Sequence, residues 1–283
     1  MSVAGADGRT NPSYALGHSP RELERLAAQA RLIDPITRRF FDGAGIGPGM
    51  RVLDVGSGAG HVALLTAELV GPSGIVVGTD LSADALAAAR ERAAGLPHVT
   101  FVEGDPARLA FDAPFDAVVG GYVLQFLADP VDMLRQLARL LRPGGLMVWH
   151  ELDWDGARSS PPAPTYNRCC RWFVQSLRAA GHSTQMGARL HDAYVAAGFP
   201  EPTLRLESVV GAGTGASPCL ALVGDLMPIM LPTMERQGIA TAAEVGLDTL
   251  SARLRAEAVA GSVIFGRSEV GAWARKPDTK DVA

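Results

Sequence analysis

The chain has 283 residues, of which 47% are hydrophobic and 20% are charged, a composition typical of folded globular proteins and not of disordered or fibrous ones. Its formal net charge of -4 argues against a broad nucleic-acid-binding surface, and no run approaches the roughly 20 apolar residues of a membrane span. The three cysteines, two of them adjacent, suggest neither a disulfide framework nor a metal-binding pair, so we expect a cytoplasmic protein without a metal. From the charge and the lack of an apolar run we expect no nucleic-acid partner and no membrane partner.

Helical signals begin near the N-terminus. Ser19, Pro20 and Glu22 combine a helix N-cap, a proline at the first helical position and a capping-box acid. We predict a second helix after Pro35, because proline interrupts the hydrogen bonding of a helix interior. Residues 1–45 are therefore predicted to be a helical segment that precedes the main domain.

From residue 50 onward, short β-rich runs alternate with helical stretches, as they do in parallel βαβ units. The predicted strands are Met50–Val55, Ile75–Asp80, Val99–Val102, Phe115–Val119, Leu146–Glu151, Thr203–Val210 and Val270–Ala274. The predicted helices are His61–Leu69, Ala83–Ala94, one after Pro130, Tyr166–Ala180, Leu190–Ala197 and Ala242–Ala258. The pattern predicts an α/β fold with cap insertions at about 153–189 and 213–245.

A glycine turn follows the first predicted strand. Gly56, Gly58 and Gly60 allow the backbone to approach a ligand closely at the carboxyl edge of a parallel sheet. Dehydrogenases space these glycines as GxGxxG, whereas this run is GxGxG with His61 at the next position. The acidic Asp54 before the turn suits the cationic amino end of a methionine-type ligand better than a pyrophosphate. A tight turn without a ligand is the structural alternative.

Acids at the ends of the next two strands extend the pattern. Asp80 ends the second strand, where a carboxylate can accept hydrogen bonds from both ribose hydroxyls, and this position fits NAD equally well. Asp105 follows the third strand and is placed to accept from an adenine amino group. A turn or capping role is the alternative for Asp105, and also for Asp116 in the fourth strand. Two acids at these strand ends favour a methionine-type adenosine ligand over a dinucleotide.

The region from Met50 to Glu151 resembles the core of class I S-adenosylmethionine-dependent methyltransferases, in the branch similar to the ubiquinone and menaquinone biosynthesis enzymes. The motifs that carry the resemblance are VLDVGSGAG, VVGTDLS, VTFVEGD, FDAVVGGYVLQFLADP and LRPGG. The resemblance implies a Rossmann-like, doubly wound sheet of seven strands in the order 3-2-1-4-5-7-6, with the last strand antiparallel. It also implies that residues 1–45 form a flap over the cofactor and that residues 46–283 form the methyltransferase domain with its inserted cap.

The same resemblance implies S-adenosylmethionine as cofactor. The predicted cofactor-binding residues are Tyr14, Gln29, Asp54, Gly56, Ser57, Gly58, Gly60, Asp80, Leu81, Gly104, Asp105 and Gly120. Ser57 departs from the cysteine that the family often has, but it keeps the small size. A second departure is Gln125-Phe126, where relatives often carry a histidine, so no catalytic role is transferred to that position.

Three residues are candidates for the chemistry, because a nucleophile that must shed a proton needs a base. Glu151 leaves the fifth strand beside the expected methyl position, and the alternative is a structural ion pair. His182 follows the cap helix, and the alternative is a surface histidine. Tyr14 lies in the flap, and the alternative is a residue of a flexible tail without a functional role. Apolar side chains of the cap are either its core or an apolar acceptor pocket. They are Trp154, Trp172, Phe173, Met227 and Met230.

These patterns predict a methyltransferase for a small, largely apolar or aromatic metabolite, with transfer to carbon or oxygen. We expect a monomer or homodimer. The fourth strand is followed by Gly120-Gly121-Tyr122-Val123 and not by the Asn/Asp-Pro-Pro-aromatic run associated with methylation of nucleic-acid bases. An NAD-dependent oxidoreductase and a non-catalytic adenosylmethionine-binding module are the rival interpretations.

Overall fold

The computed structural model describes the backbone of residues 20–277 and the side chains from residue 29 to residue 277, so Tyr14 lies outside the described residues. The strands are β1 (Arg51–Val55), β2 (Ile75–Asp80), β3 (Val99–Glu103), β4 (Phe115–Gly121), β5 (Leu141–Asp153), β6 (Arg158–Ser160), β7 (Thr203–Ala212) and β8 (Val263–Arg275). The helices are α1 (Pro20–Ala44), α2 (His61–Val70), α3 (Ala83–Arg92), α4 (Pro130–Ala138), α5 (Pro164–Ala179), α6 (Met186–Ala196), α7 (Ser217–Gly224), α8 (Met227–Arg236), α9 (Ala242–Val245) and α10 (Leu247–Val259).

All of the strands join one sheet. Its main path is β3-β2-β1-β4-β5-β8, and β7 pairs with β8. The short β6 pairs only with the first residues of β8. With β6 set aside, this is the predicted order 3-2-1-4-5-7-6. The strand β8 runs antiparallel to β5, from Leu146 opposite Arg275 to Asp153 opposite Ser268. The predicted fold is confirmed.

Alternation along the strands divides the core between the two faces of the sheet. On one face, Val52 of β1 and Val148 of β5 pack with Phe40 of α1 and with buried residues of α2 and α3. On the other face, Leu53 and Trp149 pack with buried residues of α4 and α6. Helices on both faces leave the carboxyl edge of the parallel strands as the place for loops and ligands.

Two predictions of how the helices are divided are wrong. No second helix starts after Pro35, because α1 continues through it. A proline inside a helix costs about 3 kcal/mol, and the buried face of α1, which includes Ile33 and Phe40, offsets that cost by packing on the sheet. The predicted helix Ala242–Ala258 is divided instead into α9 and α10 by Gly246, whose φ of 57° is left-handed.

The last strand is longer than the apolar pattern predicts. It begins at Val263, seven residues before the predicted start at Val270. The added segment contains Gly266, Arg267 and Glu269, and two buried charges hide the usual apolar alternation of a strand. This extension matters for the site, because it carries both charged residues under the cap.

Helices of the predicted cap insertions pack on one another and on α10, which lies beyond the predicted bounds of about 153–189 and 213–245. Side chains of α5, α7, α8 and α10 form a hydrophobic cluster with Leu152 at the end of β5 and with Trp154 just after it. Within it, the rings of Trp154 and Phe173 lie 4.3 Å apart between centroids. We call this set the cap core. The domain boundaries themselves stay a prediction.

One segment in the cap is long and apolar enough to cross a membrane by length and composition alone. It is Gly213–Arg236, with a hydropathy of 1.4, and half of the scored window is buried inside the protein. Its buried residues, such as Cys219, Met227 and Met230, belong to the cap core. Core helices pass the same test, so the expected absence of a membrane partner stays a prediction.

Candidate functional site

The glycine turn joins β1 to α2 at the carboxyl edge of the sheet. A Cβ at Gly56 would lie 2.5 Å from a methyl carbon of Val123, and Gly56 has a φ of 67°. Gly58 also has a left-handed φ, of 51°, but a Cβ there would meet nothing within 4 Å. The turn is therefore packed tightly against the segment after β4 and open beside Gly58, which gives a ligand room to approach the backbone.

Asp80 fixes this turn from the neighbouring strand. Its Oδ2 accepts a hydrogen bond from the amide of Gly58 at 2.8 Å, and its Oδ1 accepts from the amide of Ser82 at 2.8 Å. The amide of Ser57 donates to the carbonyl of Thr79 at 2.9 Å. The predicted ribose-binding acid thus lies directly against the glycine turn.

Asp54 is a buried carboxyl group without a counter-charge. It has no exposed surface, and neither carboxyl oxygen has a hydrogen-bond partner among the described residues. Burial raises its pKa well above the usual 3.8, and the nearby Asp80 carboxylate raises it further, while the Ala63 amide at the start of α2 lowers it. A cationic partner at this position would relieve the cost of an unpaired buried charge.

The remaining predicted cofactor contacts lie at the ends of β2 and β3. The amide of Gly104 donates to the carbonyl of Asp80 at 2.9 Å, which joins the two strand ends. Leu81 is 58% exposed, so an apolar face is available there. Asp105 accepts from the amide of Ala107 at 3.0 Å, the turn role that was the alternative to adenine binding. Its other oxygen lies 3.5 Å from the exposed Arg108 Nε, and a carboxylate oxygen has a further lone pair for an adenine amino group.

Glu151 lies beneath the segment that follows β4. Its Oε1 accepts hydrogen bonds from the amides of Val123 at 2.8 Å and Leu124 at 2.7 Å, and its Oε2 has no partner among the described residues. Burial raises its pKa to about 8, although the backbone hydrogen bonds oppose the shift. No ion pair of Glu151 occurs in the described part of the chain, which argues against the structural alternative.

His182, in the loop between α5 and α6, packs against the same segment and is a buried residue, not a surface histidine. Its ring contacts Phe126 edge-on at 5.0 Å between centroids. Its Nε2 has no partner among the residues that the structure describes, and burial lowers its pKa. The residues after β4 therefore link two candidates, Glu151 through Val123 and Leu124 and His182 through Phe126. Their catalytic roles stay predictions.

Sequence reasoning missed a buried polar network on the opposite face of β5. The Nε2 of His150 lies 3.1 Å from Glu269 Oε2, and its Nδ1 lies 3.0 Å from the Thr37 hydroxyl. The Tyr122 hydroxyl donates to Glu269 Oε2 at 2.7 Å, and Arg267 Nε donates to Glu269 Oε1 at 2.9 Å. Burial alone would raise the pKa of Glu269, but Arg267 and His150 lower it to about 2. The sequence signal for this network was the pair of charged residues Arg267 and Glu269, two positions apart, just before the predicted strand Val270–Ala274.

The structure shows where three other residues named in the sequence analysis lie. Asp116 accepts from the Arg51 amide at 2.8 Å and from Arg142 Nε at 2.6 Å, so its role is structural, but as an ion pair in β4 and not as the turn or cap residue of the stated alternative. Gln29 lies on α1. Gly120 packs beneath Trp149, and a Cβ at Gly120 would lie 2.2 Å from the indole. Packing thus gives a reason for this glycine besides cofactor binding.

A Gly120→Ala variant tests that reason. We expect it to lower the free energy of unfolding by about 3 kcal/mol, because the buried Trp149 ring has no room to move. Gly121→Ala is the matched control, since its Cβ would make an ordinary contact of 3.4 Å with Val62. Urea denaturation followed by circular dichroism measures both variants. Equal stability of the two would contradict the packing role.

Comparison with known proteins agrees with this geometry. Residues 52–145, which include the glycine turn and the acids Asp54, Asp80 and Asp105, match the family model described as a methyltransferase domain. This part of the chain is therefore similar to methyltransferase domains. A demethylmenaquinone methyltransferase of Staphylococcus aureus is 33% identical over 132 residues, which cover 46% of this chain and 52% of that protein. The chain spans about half the length of the curated relatives it matches.

Solved structures extend the likeness of the methyltransferase fold beyond the matched segment. A structure from Bacillus halodurans C-125 that is described as a methyltransferase is 20% identical with a TM-score of 0.56, and the match covers 84% of this chain and 97% of that one. The [4+2]-cyclase SpnF is 24% identical with a TM-score of 0.52, covering 88% of this chain and 82% of that one. At these identities the likeness concerns the fold alone.

Proposed function

We propose that this chain is an S-adenosylmethionine-dependent methyltransferase that acts on a small, largely apolar or aromatic metabolite. The observation that carries the proposal is Asp54, a buried and unpaired carboxyl group beside an open glycine turn in the segment that is similar to methyltransferase domains. The fold by itself does not decide the activity, because a solved cyclase shares it. An acid that needs a cation is a more specific feature than the fold.

The residues at the strand ends fit this cofactor. Asp54 would pair with the ammonium of its methionine end, Asp80 would bind the ribose, and Leu81 with Asp105 would flank the adenine. Gly58 would let the ligand approach the backbone. When bound, the cofactor supplies a methyl group on a sulfonium, which is electrophilic without further activation. The chain has to align the acceptor atom with that methyl group and exclude water.

The acceptor class is proposed from the cap. The cap core lies at the end of β5 and the start of β8, and a flat apolar molecule bound beneath the cap would contact its buried aromatic and methionine side chains. Glu151 supports transfer to carbon or oxygen, since a carboxyl group with a pKa of about 8 can remove a proton from an acidic acceptor near neutral pH. The similarity to a demethylmenaquinone methyltransferase supports the same class.

Two measurements test the proposal. We expect S-adenosylhomocysteine to bind in a calorimetric titration and NADH to give no heat. We also expect protein incubated with methyl-labelled S-adenosylmethionine and a cell extract to transfer label into a fraction that extracts into organic solvent. Tight NADH binding without S-adenosylhomocysteine binding would favour the oxidoreductase. Label found only in protein or RNA would refute a small-molecule acceptor, and cofactor binding without any transfer would favour a non-catalytic module.

A further inference from the structure

Two hydrogen-bond donors under the cap have no partner among the described residues. They are an NH2 nitrogen of Arg267 and the indole Nε1 of Trp154, and both atoms are buried. Arg267 is 5% exposed and Trp154 is 3% exposed, so bulk water does not satisfy either side chain. A buried donor without a partner is destabilising, so each of the two calls for an explanation, and a group that arrives from outside the chain is one.

The two donors belong to neighbouring side chains. The guanidinium carbon of Arg267 lies 5.5 Å from the centroid of the Trp154 ring and 5.0 Å from the centroid of the Tyr122 ring. Arg267 is held in place on its other side, where Nε donates to Glu269 Oε1 at 2.9 Å. The planar guanidinium is rigid, so this bond fixes the direction of the remaining NH2.

This pair of side chains is connected to the glycine turn. Tyr122 and Val123 are consecutive residues after β4. Val123 packs against Gly56, where a Cβ would lie 2.5 Å from a Val123 methyl carbon. Consecutive residues of this segment therefore contact the glycine turn and the guanidinium of Arg267.

The surroundings of the donors are aromatic and adaptable. Trp154 packs on Phe173 with 4.3 Å between ring centroids. Met227 and Met230 are buried in the same cap core, and methionine side chains adjust to ligands of different shape. The cap core can thus make room for a flat ring by moving flexible side chains.

The charges near the donors select the kind of oxygen. Glu269 is buried against Arg267 and neutralises it, so an anionic ligand would add an uncompensated buried charge beside a carboxylate. A neutral oxygen acceptor needs only the two free N–H groups. We propose that the methyl acceptor is an aromatic compound with a carbonyl or similar neutral oxygen, to which Arg267 NH2 and Trp154 Nε1 donate hydrogen bonds. This inference rests on the proposed function and specifies the acceptor for it.

The test compares two bicyclic probes that differ by one oxygen. The ketone 1-tetralone and its parent hydrocarbon tetralin are titrated calorimetrically into protein saturated with S-adenosylhomocysteine. We expect the ketone to bind at least about fivefold more tightly. Trp154→Phe removes the Nε1 donor and keeps an aromatic ring, and it should reduce this preference about three- to tenfold. Trp273→Phe, in a partly buried tryptophan of β8 outside the cap core, should leave the preference unchanged.

A second variant tests the guanidinium. Arg267→Lys keeps the positive charge beside Glu269 but removes the fork that holds the free NH2, so we expect the ketone preference to fall while tetralin binding persists. Thermal unfolding by circular dichroism confirms that each variant is folded before titration.

Several results would overturn the inference. They are equal binding of ketone and hydrocarbon by the unaltered protein, no binding of either, an unchanged preference in Trp154→Phe, and tighter binding of 1-naphthoate than of 1-tetralone. None of these touches the methyltransferase proposal, which depends on the separate titration with S-adenosylhomocysteine and on label transfer. Failure of those two measurements would count against the proposed function itself.

Discussion

An Asp54→Asn variant is expected to bind S-adenosylhomocysteine about ten- to a hundredfold more weakly than the unaltered protein and, without ligand, to be more stable. The affinity falls because the amide cannot pair with the ligand ammonium, and a hydrogen bond to a charged group contributes about 1.5–3 kcal/mol. The stability rises because a neutral amide, unlike a carboxyl group with a raised pKa, does not have to be kept protonated in the folded protein at neutral pH. Each kcal/mol recovered raises the thermal midpoint by about 2–4 °C in a protein of this size class.

The pH dependence of stability gives a second readout for Asp54. Its pKa is raised in the folded protein, so above pH 3.8 the unfolded chain releases a proton that the folded chain retains. The free energy of unfolding therefore falls as pH rises from 3.8 to the folded pKa, and this contribution disappears in Asp54→Asn. Urea denaturation without ligand at a series of pH values measures the difference.

Asp116→Asn is the control for both measurements. Asp116 is an aspartate near the start of β4 that is bonded to Arg51 and Arg142, so its loss should lower stability and leave S-adenosylhomocysteine affinity unchanged. The two variants are thus expected to change stability in opposite directions. An Asp54→Asn protein with unaltered affinity would show that this carboxyl group does not bind the cofactor.

The sequence predicts the elements around the glycine turn well, because their signals are local. Strand β2 begins and ends where predicted, and α2 begins at His61 as predicted. Each strand there is a short apolar run bounded by a turn, so periodicity and glycine position suffice. The sheet order came from the family resemblance, since pairing between distant strands leaves no local signal.

The features that the sequence did not predict depend on contacts between distant residues. The continuity of α1 at Pro35 comes from its packing on the sheet, and the buried state of Arg267 comes from its pairing with Glu269 under the cap. The environment of Asp54 is a further case. Its position suggested a role, but the lack of a partner for its carboxyl group is visible only in three dimensions.

Glu151→Gln is expected to slow methyl transfer about a hundredfold with whichever acceptor the labelling experiment identifies, while S-adenosylhomocysteine affinity changes by less than about twofold. The carboxyl group has a pKa of about 8, so its basic form is the minor one at pH 7 and increases as pH rises. The rate in the unaltered protein should therefore rise up to about pH 8 and then level off. The variant should lack this limb, because an amide does not titrate.

The glutamine can still accept the amide hydrogen bonds of Val123 and Leu124, so the segment after β4 should keep its position. Glu257→Gln is the matched control, since Glu257 accepts hydrogen bonds from the amides of Thr165 and Tyr166 in the same manner. Glu257→Gln should lose as much stability as Glu151→Gln, and its rate of methyl transfer should keep the pH dependence of the unaltered protein. A parallel loss of S-adenosylhomocysteine binding in Glu151→Gln would show that Glu151 supports the cofactor site. An unchanged pH limb would exclude it as the base, because the group that titrates near pH 8 would then lie elsewhere in the site.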